Sequence, residues 1–262
     1  MFLPRISRPS CTGAWLAASQ AVYGLAGHEG HHVVIDVDDP VAFSERDAAV
    51  VKAVDAFLAE HGGNEFPVQT VANTIFPQAT YDAHGSPDFY DVYIKKVFPR
   101  LKRSPRDWGR YFERMMAYPT AAGPENLLAH IVAEMKRNVA AERTFRNIYE
   151  LPVYNPTKDR AGSPIGRQCL SFMSFKLDGE NLLLLSAVYR NHFYTQKLLG
   201  NLIGLGRLMA FVAEEVKVKL GPLTVLSTHA QVDTAGGSQA ELKALYAHCV
   251  ELLSALPNAH AA

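Results

Sequence analysis

An α/β chain of the α+β kind, a mixed or antiparallel sheet flanked by helices in a single domain over residues 1–262, is predicted by three observations. Between Pro164 and Asp233 the hydrophobic period runs strand, strand, helix, strand, switching from about 2 to about 3.6 and back. Amphipathic segments that suit helices lie on both sides of that stretch. Residues are 48% hydrophobic and 20% charged, which is enough apolar material for one sizeable core in a chain of this length.

In chain order, Ala14 to Ala26 reads as a helix with Trp15, Leu16, Val22 and Leu25 as its apolar set. His31 to Val37 reads as a strand. Its adjacent His31 and His32 point to opposite faces, and no Cys/His set of metal-site spacing accompanies them, so no metal is expected. Asp47 to Glu60 is a second helix, closed by His61-Gly62-Gly63 with Gly as the left-handed cap. Val71 to Phe76 is too short to assign by period. Phe89 to Leu101 suggests a helix with a basic end. Asn126 to Asn138 is a cleaner helix, with Leu127, Leu128, Ile131, Val132 and Met135 inward and Glu134, Lys136 and Arg137 in water.

From Cys169 the alternation through Leu177 suits a half-buried strand, and Asp178-Gly179 turns the chain. Leu182 to Val188 is a continuous apolar strand running into Tyr189-Arg190-Asn191-His192. Asn201 follows Gly200 at the head of a helix reaching about Val216, with Leu202, Leu205, Leu208, Met209 and Val212 on one face. Gly221-Pro222 is expected to stop it, and Leu223 to Leu226 leads into Ser227-Thr228-His229-Ala230-Gln231. Ala240 to Ala255 is the last helix, with Leu242, Leu245, Val250 and Leu253 as its core residues.

Basic and acidic residues balance at 26 each, so no global field recruits nucleic acid or a membrane surface, and any phosphate must be held by local arginines. Cys11, Cys169 and Cys249 make no disulfide framework, which fits a reducing cytoplasm. No apolar run approaches the length that spans a bilayer.

The order of Cys169, Arg190, Asn201 and His229 resembles the thymidylate synthase family, most clearly over about residues 105–235. That family has a nucleophilic Cys before a strand, an Arg-Ser pair, an Asn opening a long helix and a His-x-Tyr pair on a later strand. The resemblance implies Cys169 as nucleophile, Arg190 with its neighbour Asn191 at the phosphate, Asn201 at the base, and His229 with Gln231 at the sugar. Trp108 to Met115 is similar to a family stretch whose Tyr serves proton abstraction, which Tyr111 would match; a surface loop with one packed aromatic is the other reading. Arg143 and Arg146 precede a strand ending in Tyr154-Asn155-Pro156. In the family such a basic pair reaches the phosphate of the second subunit, so a homodimer is implied; a solvated corner is the alternative.

The chemistry implied is attack of a thiolate at C6 of a pyrimidine, which makes C5 a carbanion equivalent able to take a methyl or hydroxymethyl group. The substrate would be a pyrimidine nucleotide monophosphate, uracil or cytosine. Cys169 needs a positive surrounding, for which Arg167 and Arg190 are the candidates. Each of these residues taken alone is equally a packing residue, Cys above all. The family's donor is 5,10-methylenetetrahydrofolate. Yet Phe193 stands where an Asp meets its pterin, Leu170 where a His follows the nucleophile, and Gln231 where a Tyr contacts the sugar. No Glu lies between Phe66 and Pro77, where the family relays protons, and the chain stops soon after its last helix without a closing lid. Two functions are therefore expected: an enzyme acting at C5 through Cys169, or a nucleotide-binding homologue without methyl transfer, acting as a sensor or interaction protein.

Overall fold

The computed structural model describes residues 2–61, 67–101, 109–160 and 167–255. The strands are β1 (Ile6–Arg8), β2 (Glu29–Val37), β3 (Tyr118–Thr120), β4 (Gly123–Glu125), β5 (Glu150–Pro152), β6 (Leu170–Leu177), β7 (Leu182–Tyr189), β8 (His192–Phe193) and β9 (Lys219–Gln231). One mixed sheet has the order β1-β2-β9-β7-β6-β5, with β8 added to β9. β1 runs parallel to β2, and β7 and β8 run parallel to β9. The other pairs of this sheet are antiparallel. The parallel pair β7 and β9 requires a crossover, supplied by the helix Leu199–Val216.

Helices bury one face of the sheet. Val33, Ile35, Met173, Phe175, Leu183, Leu185, Leu223 and Val225 point into a single contiguous core with them. On the other face Val34, Leu226, Val188, Phe172 and Pro152 are register neighbours across five strands and are half-buried or exposed.

The helix Leu199–Val216 is buried on nearly all sides. Its approach to the helix Val68–Asn73 is set by two glycines. A Cβ at Gly200 would lie 2.6 Å from Val71 Cβ, and one at Gly204 would lie 2.7 Å from the Ala72 carbonyl oxygen. Trp15, in the helix Cys11–Tyr23, ties in the other side by donating Nε1–H to the Tyr194 carbonyl at 2.8 Å.

The crossover helix opens two residues before Asn201, as expected, and a turn of π-helix, Tyr194–Leu198, leads continuously into it. Several expectations need correction. The helix ends at Lys217, whose left-handed backbone (φ 63°) closes it before Gly221 is reached. Gly221-Pro222 lies inside β9, where three steps from Leu220 to Leu223 oppose two from Leu183 to Leu185. That bulge accommodates a proline lacking an N–H. Residues 68–73 are helical, and Tyr111–Met116 is a helix, not a surface loop. In the last helix, Gln239–Ser254, Tyr246 and Cys249 join Leu242 and Leu245 in the core while Val250 is exposed. The predicted cap at Gly62-Gly63 and the residue Trp108 lie outside the described residues.

Candidate functional site

β6 starts and β7 ends at the same edge of the sheet, since Leu170 pairs with Tyr189 and Arg190 N–H continues the ladder to the Cys169 carbonyl at 2.9 Å. A bulge falls at Ser171, whose carbonyl accepts from both Val153 and Tyr154 N–H at 2.9 and 3.0 Å. It resets the alternation, so Leu170 enters the core instead of Ser171. A cavity of about 780 Å³ opens at this edge, a size typical of small-molecule sites.

One wall of the cavity comes from the sheet: Arg167, Gln168, Cys169, Arg190, Asn191, His192 and Phe193. The facing wall comes from two short helices and the residues that flank them, with Val71, Thr74, Gly109, Arg110 and Tyr111, and the crossover segment adds Lys197 and Asn201. Phe112 N–H donates to the Thr74 carbonyl at 2.8 Å and joins the two pieces of the helical wall. Arg110, Arg167, Arg190 and Lys197 all line the cavity, and among the described residues no carboxylate does. The lining therefore suits an anion.

Cys169 is half-buried beside Tyr111. The Tyr111 hydroxyl accepts from Cys169 N–H at 3.3 Å and Leu170 N–H at 3.4 Å, so its lone pairs are occupied and its own O–H remains a donor. Burial raises the Tyr111 pKa, with Cys169 adding to the rise, so the phenol stays protonated. Burial also raises the Cys169 pKa, against the expectation of an activated thiolate. Arg190, the Asn191 N–H and Lys197 oppose that rise without reversing it, and the Arg167 carbonyl accepts from the thiol at 3.7 Å.

Arg190 donates to the Gln168 carbonyl and stacks over the Tyr154 ring at 4.7 Å. The adjoining turn is anchored by a buried fork: Arg114 Nη1 and Nη2 donate to Asp159 Oδ2 and Oδ1 at 3.0 and 2.8 Å. Burial works against ionisation of Asp159, yet hydrogen bonds from Arg114 and from Asn155 N–H hold its pKa below the ordinary value.

Cys169, Tyr111, Arg190, Asn191, Asn201 and Arg167 thus share one cavity. His229 and Gln231 do not line it. His229 Nδ1 meets Asn191 Oδ1 at 2.6 Å and Nε2 meets Glu29 Oε2 at 3.2 Å, so its ring supports Asn191 from behind. Gln231 pairs with Glu29 and Phe193 in the sheet. Arg143 and Arg146 are exposed and also outside the lining of this cavity. Sequence reasoning missed Arg110, Gln168, His192 and Lys197. Lys197 stands four residues before Asn201 and His192 two after Arg190, spacings that could have drawn attention to them.

A pterin needs an acidic partner for its amidine edge. Phe193 stands in the wall, and among the described residues no carboxylate lines the cavity.

No family model matches the sequence, and no curated protein matches it either. Among solved structures the chain is similar to thymidylate synthase from T4 phage at 12% identity, over 93% of this chain and 81% of that one. The TM-score of 0.52 supports the conclusion that this mixed sheet with helices on one face has a thymidylate-synthase-like fold.

Proposed function

We propose that the cavity binds a pyrimidine nucleotide monophosphate and that Cys169 activates its C5 carbon, with an outcome other than ordinary folate-dependent thymidylate synthesis. The observation that carries this reading is the joining of a thiol, a protonated phenol and four cationic side chains in one cavity that no carboxylate lines among the described residues. In this reading Arg190 holds the phosphate through its planar fork, and Asn201 meets the base edge.

The step balances without a further reactant. The Cys169 S–H adds across C5=C6, forming the C6–S bond and a new C5–H bond. Elimination in the reverse sense returns the thiol and takes the other C5 hydrogen, so the net reaction exchanges C5 hydrogen with water. The Tyr111 O–H is suited to support charge that develops on the base. Because the resting sulfur is a thiol, the step is slow unless a bound ligand brings Arg190 or Lys197 closer to it.

C5-tritiated uridine and cytidine monophosphates, ribo and deoxy, incubated with wild type and Cys169→Ser, test the proposal. Tritium release that requires Cys169 but no methylene-folate is expected. Tight binding with no release from any of the four would favour the second reading, a nucleotide sensor, which the raised Cys169 pKa supports.

The same reading includes a homodimer. It is supported by the apolar row Val34, Leu226, Val188, Phe172 and Pro152, half-buried or exposed on the sheet face opposite the core, and by the exposure of Arg143 and Arg146. These arginines would complete the second subunit's phosphate site. A monomeric mass by light scattering at micromolar protein would rule the dimer out.

A further inference from the structure

We infer that His192 is a positioning residue: it fixes the orientation of the Asn201 amide and thereby decides which edge of a pyrimidine ring the cavity accepts. The inference rests on the nucleotide reading above and adds to it a residue that has no role in that reading.

Asn201 is 3% exposed, and its Nδ2 lies 2.9 Å from His192 Nε2. An amide nitrogen only donates, so Nε2 must be the accepting nitrogen of the ring. His192 is 1% exposed and carries no formal partner charge, and burial pushes its pKa down to about 3, so the ring is neutral. Its one proton therefore sits on Nδ1, which faces Ser227 Oγ at 3.0 Å. Tyr194 donates to the same Oγ at 3.2 Å. The ring itself cannot turn freely. Tyr189 stacks on it at 4.0 Å and 9°, and Tyr194 meets it edge-on at 5.5 Å and 88°.

Turning the Asn201 amide by half a rotation would set Oδ1 against the lone pair of Nε2, two acceptors face to face. Relief would require moving the ring proton and the Ser227 hydrogen together. The amide is thus held with one N–H on His192, and it meets a ligand with Oδ1 and the second N–H in fixed places. A uracil edge offers a donor at N3 beside an acceptor at O4, and a cytosine edge offers the reverse. A freely rotating amide suits both edges; a pinned one suits only one of them.

The test is calorimetric binding of uridine and cytidine monophosphates to the full chain, as wild type and as His192→Phe, with ribose 5-phosphate as a ligand that lacks the base. Wild type is expected to separate the two nucleotides by about tenfold or more, the scale of one bidentate base contact. In His192→Phe the two affinities should fall to within about threefold of each other, with ribose 5-phosphate unchanged. Should His192→Phe fail to fold, Ser227→Ala removes the acceptor that fixes the ring proton and should narrow the same ratio. Equal affinities in wild type, or an undiminished ratio in a folded variant, would overturn the positioning role while leaving nucleotide binding intact. Binding of neither nucleotide to wild type would overturn the nucleotide reading itself, and this inference with it.

Discussion

The two walls of the cavity are built differently. The sheet wall hangs from strand ends: Cys169 precedes β6, Arg190 follows β7, and ladder bonds fix both. The helical wall is assembled from short pieces, Val68–Asn73 and Tyr111–Met116, that are positioned by tertiary contacts with the crossover helix and with each other. Helices of this length have little stability of their own. A wall set by register tolerates changes in its side chains, whereas a wall set by packing depends on the residues behind it.

The largest effect should come from the anchor beneath the helical wall. Asp159→Ala leaves Arg114, which is 1% exposed, without its bidentate partner, and about 3–5 kcal/mol of stability should be lost in urea unfolding. The pH dependence has a definite sign. The Asp159 pKa is depressed in the folded state, so its contribution is present above about pH 4 and is lost as pH falls through the folded value. Asp47, depressed by hydrogen bonds from Ser44, Thr12 and Ser10 that outweigh its burial, acts alike. An acid unfolding curve for Asp159→Asn should therefore have a shallower acid arm, not a flat one. An unchanged arm would mean that the fork does not brace the wall.

The sheet wall answers in binding. Arg190→Ala should weaken a nucleotide monophosphate by about 1.5–3 kcal/mol and leave the nucleoside almost unaffected. Equal losses for both ligands would contradict its assignment to the phosphate. Next comes the seam between the crossover helix and the helical wall. Gly204→Ala would push a methyl toward the Ala72 carbonyl and to 3.0 Å from Ile75 Cβ, costing about 1–3 kcal/mol in thermal unfolding. If stability is lost and nucleotide affinity falls with it, the wall depends on that seam; if affinity holds, the two walls are independent. The smallest effect is reserved for Arg146→Ala. Exposed and outside its own cavity, it should change stability by no more than about 0.5 kcal/mol while still weakening nucleotide binding if the dimer forms.

The same contrast explains what could be read from the sequence. Alternation announced β6, and a continuous apolar run announced β7, so the residues at their ends were legible as Cys169 and Arg190. The helix Leu127–Ala140 showed a clear stripe and an Asn126 cap that accepts from Ala129 N–H at 2.9 Å. By contrast, nothing local distinguishes Val71 or Thr74 as wall residues, because a six-residue helix has less than two turns of period. Gly221-Pro222 looked like a helix stop because that is its commonest local meaning. The left-handed Lys217 had already ended the helix, and the bulge in β9 is a relation between two strands that one strand does not encode. His229 was identified as a polar group near the site, but the two acceptors flanking its ring, Asn191 and Glu29, come from segments 38 and 200 residues away.

The crossover helix has one more consequence, in the language of hydrogen exchange. Its interior residues from Leu199 to Val212 are almost all buried, and it contacts helices on several sides, so its amides should open only with the whole molecule and exchange last. Asn201 sits on that slowest-opening element. A ligand that engages Asn201 is therefore coupled to global unfolding rather than to local fraying, and its binding should retard exchange across the crossover helix and the strands it joins, well beyond the residues it touches.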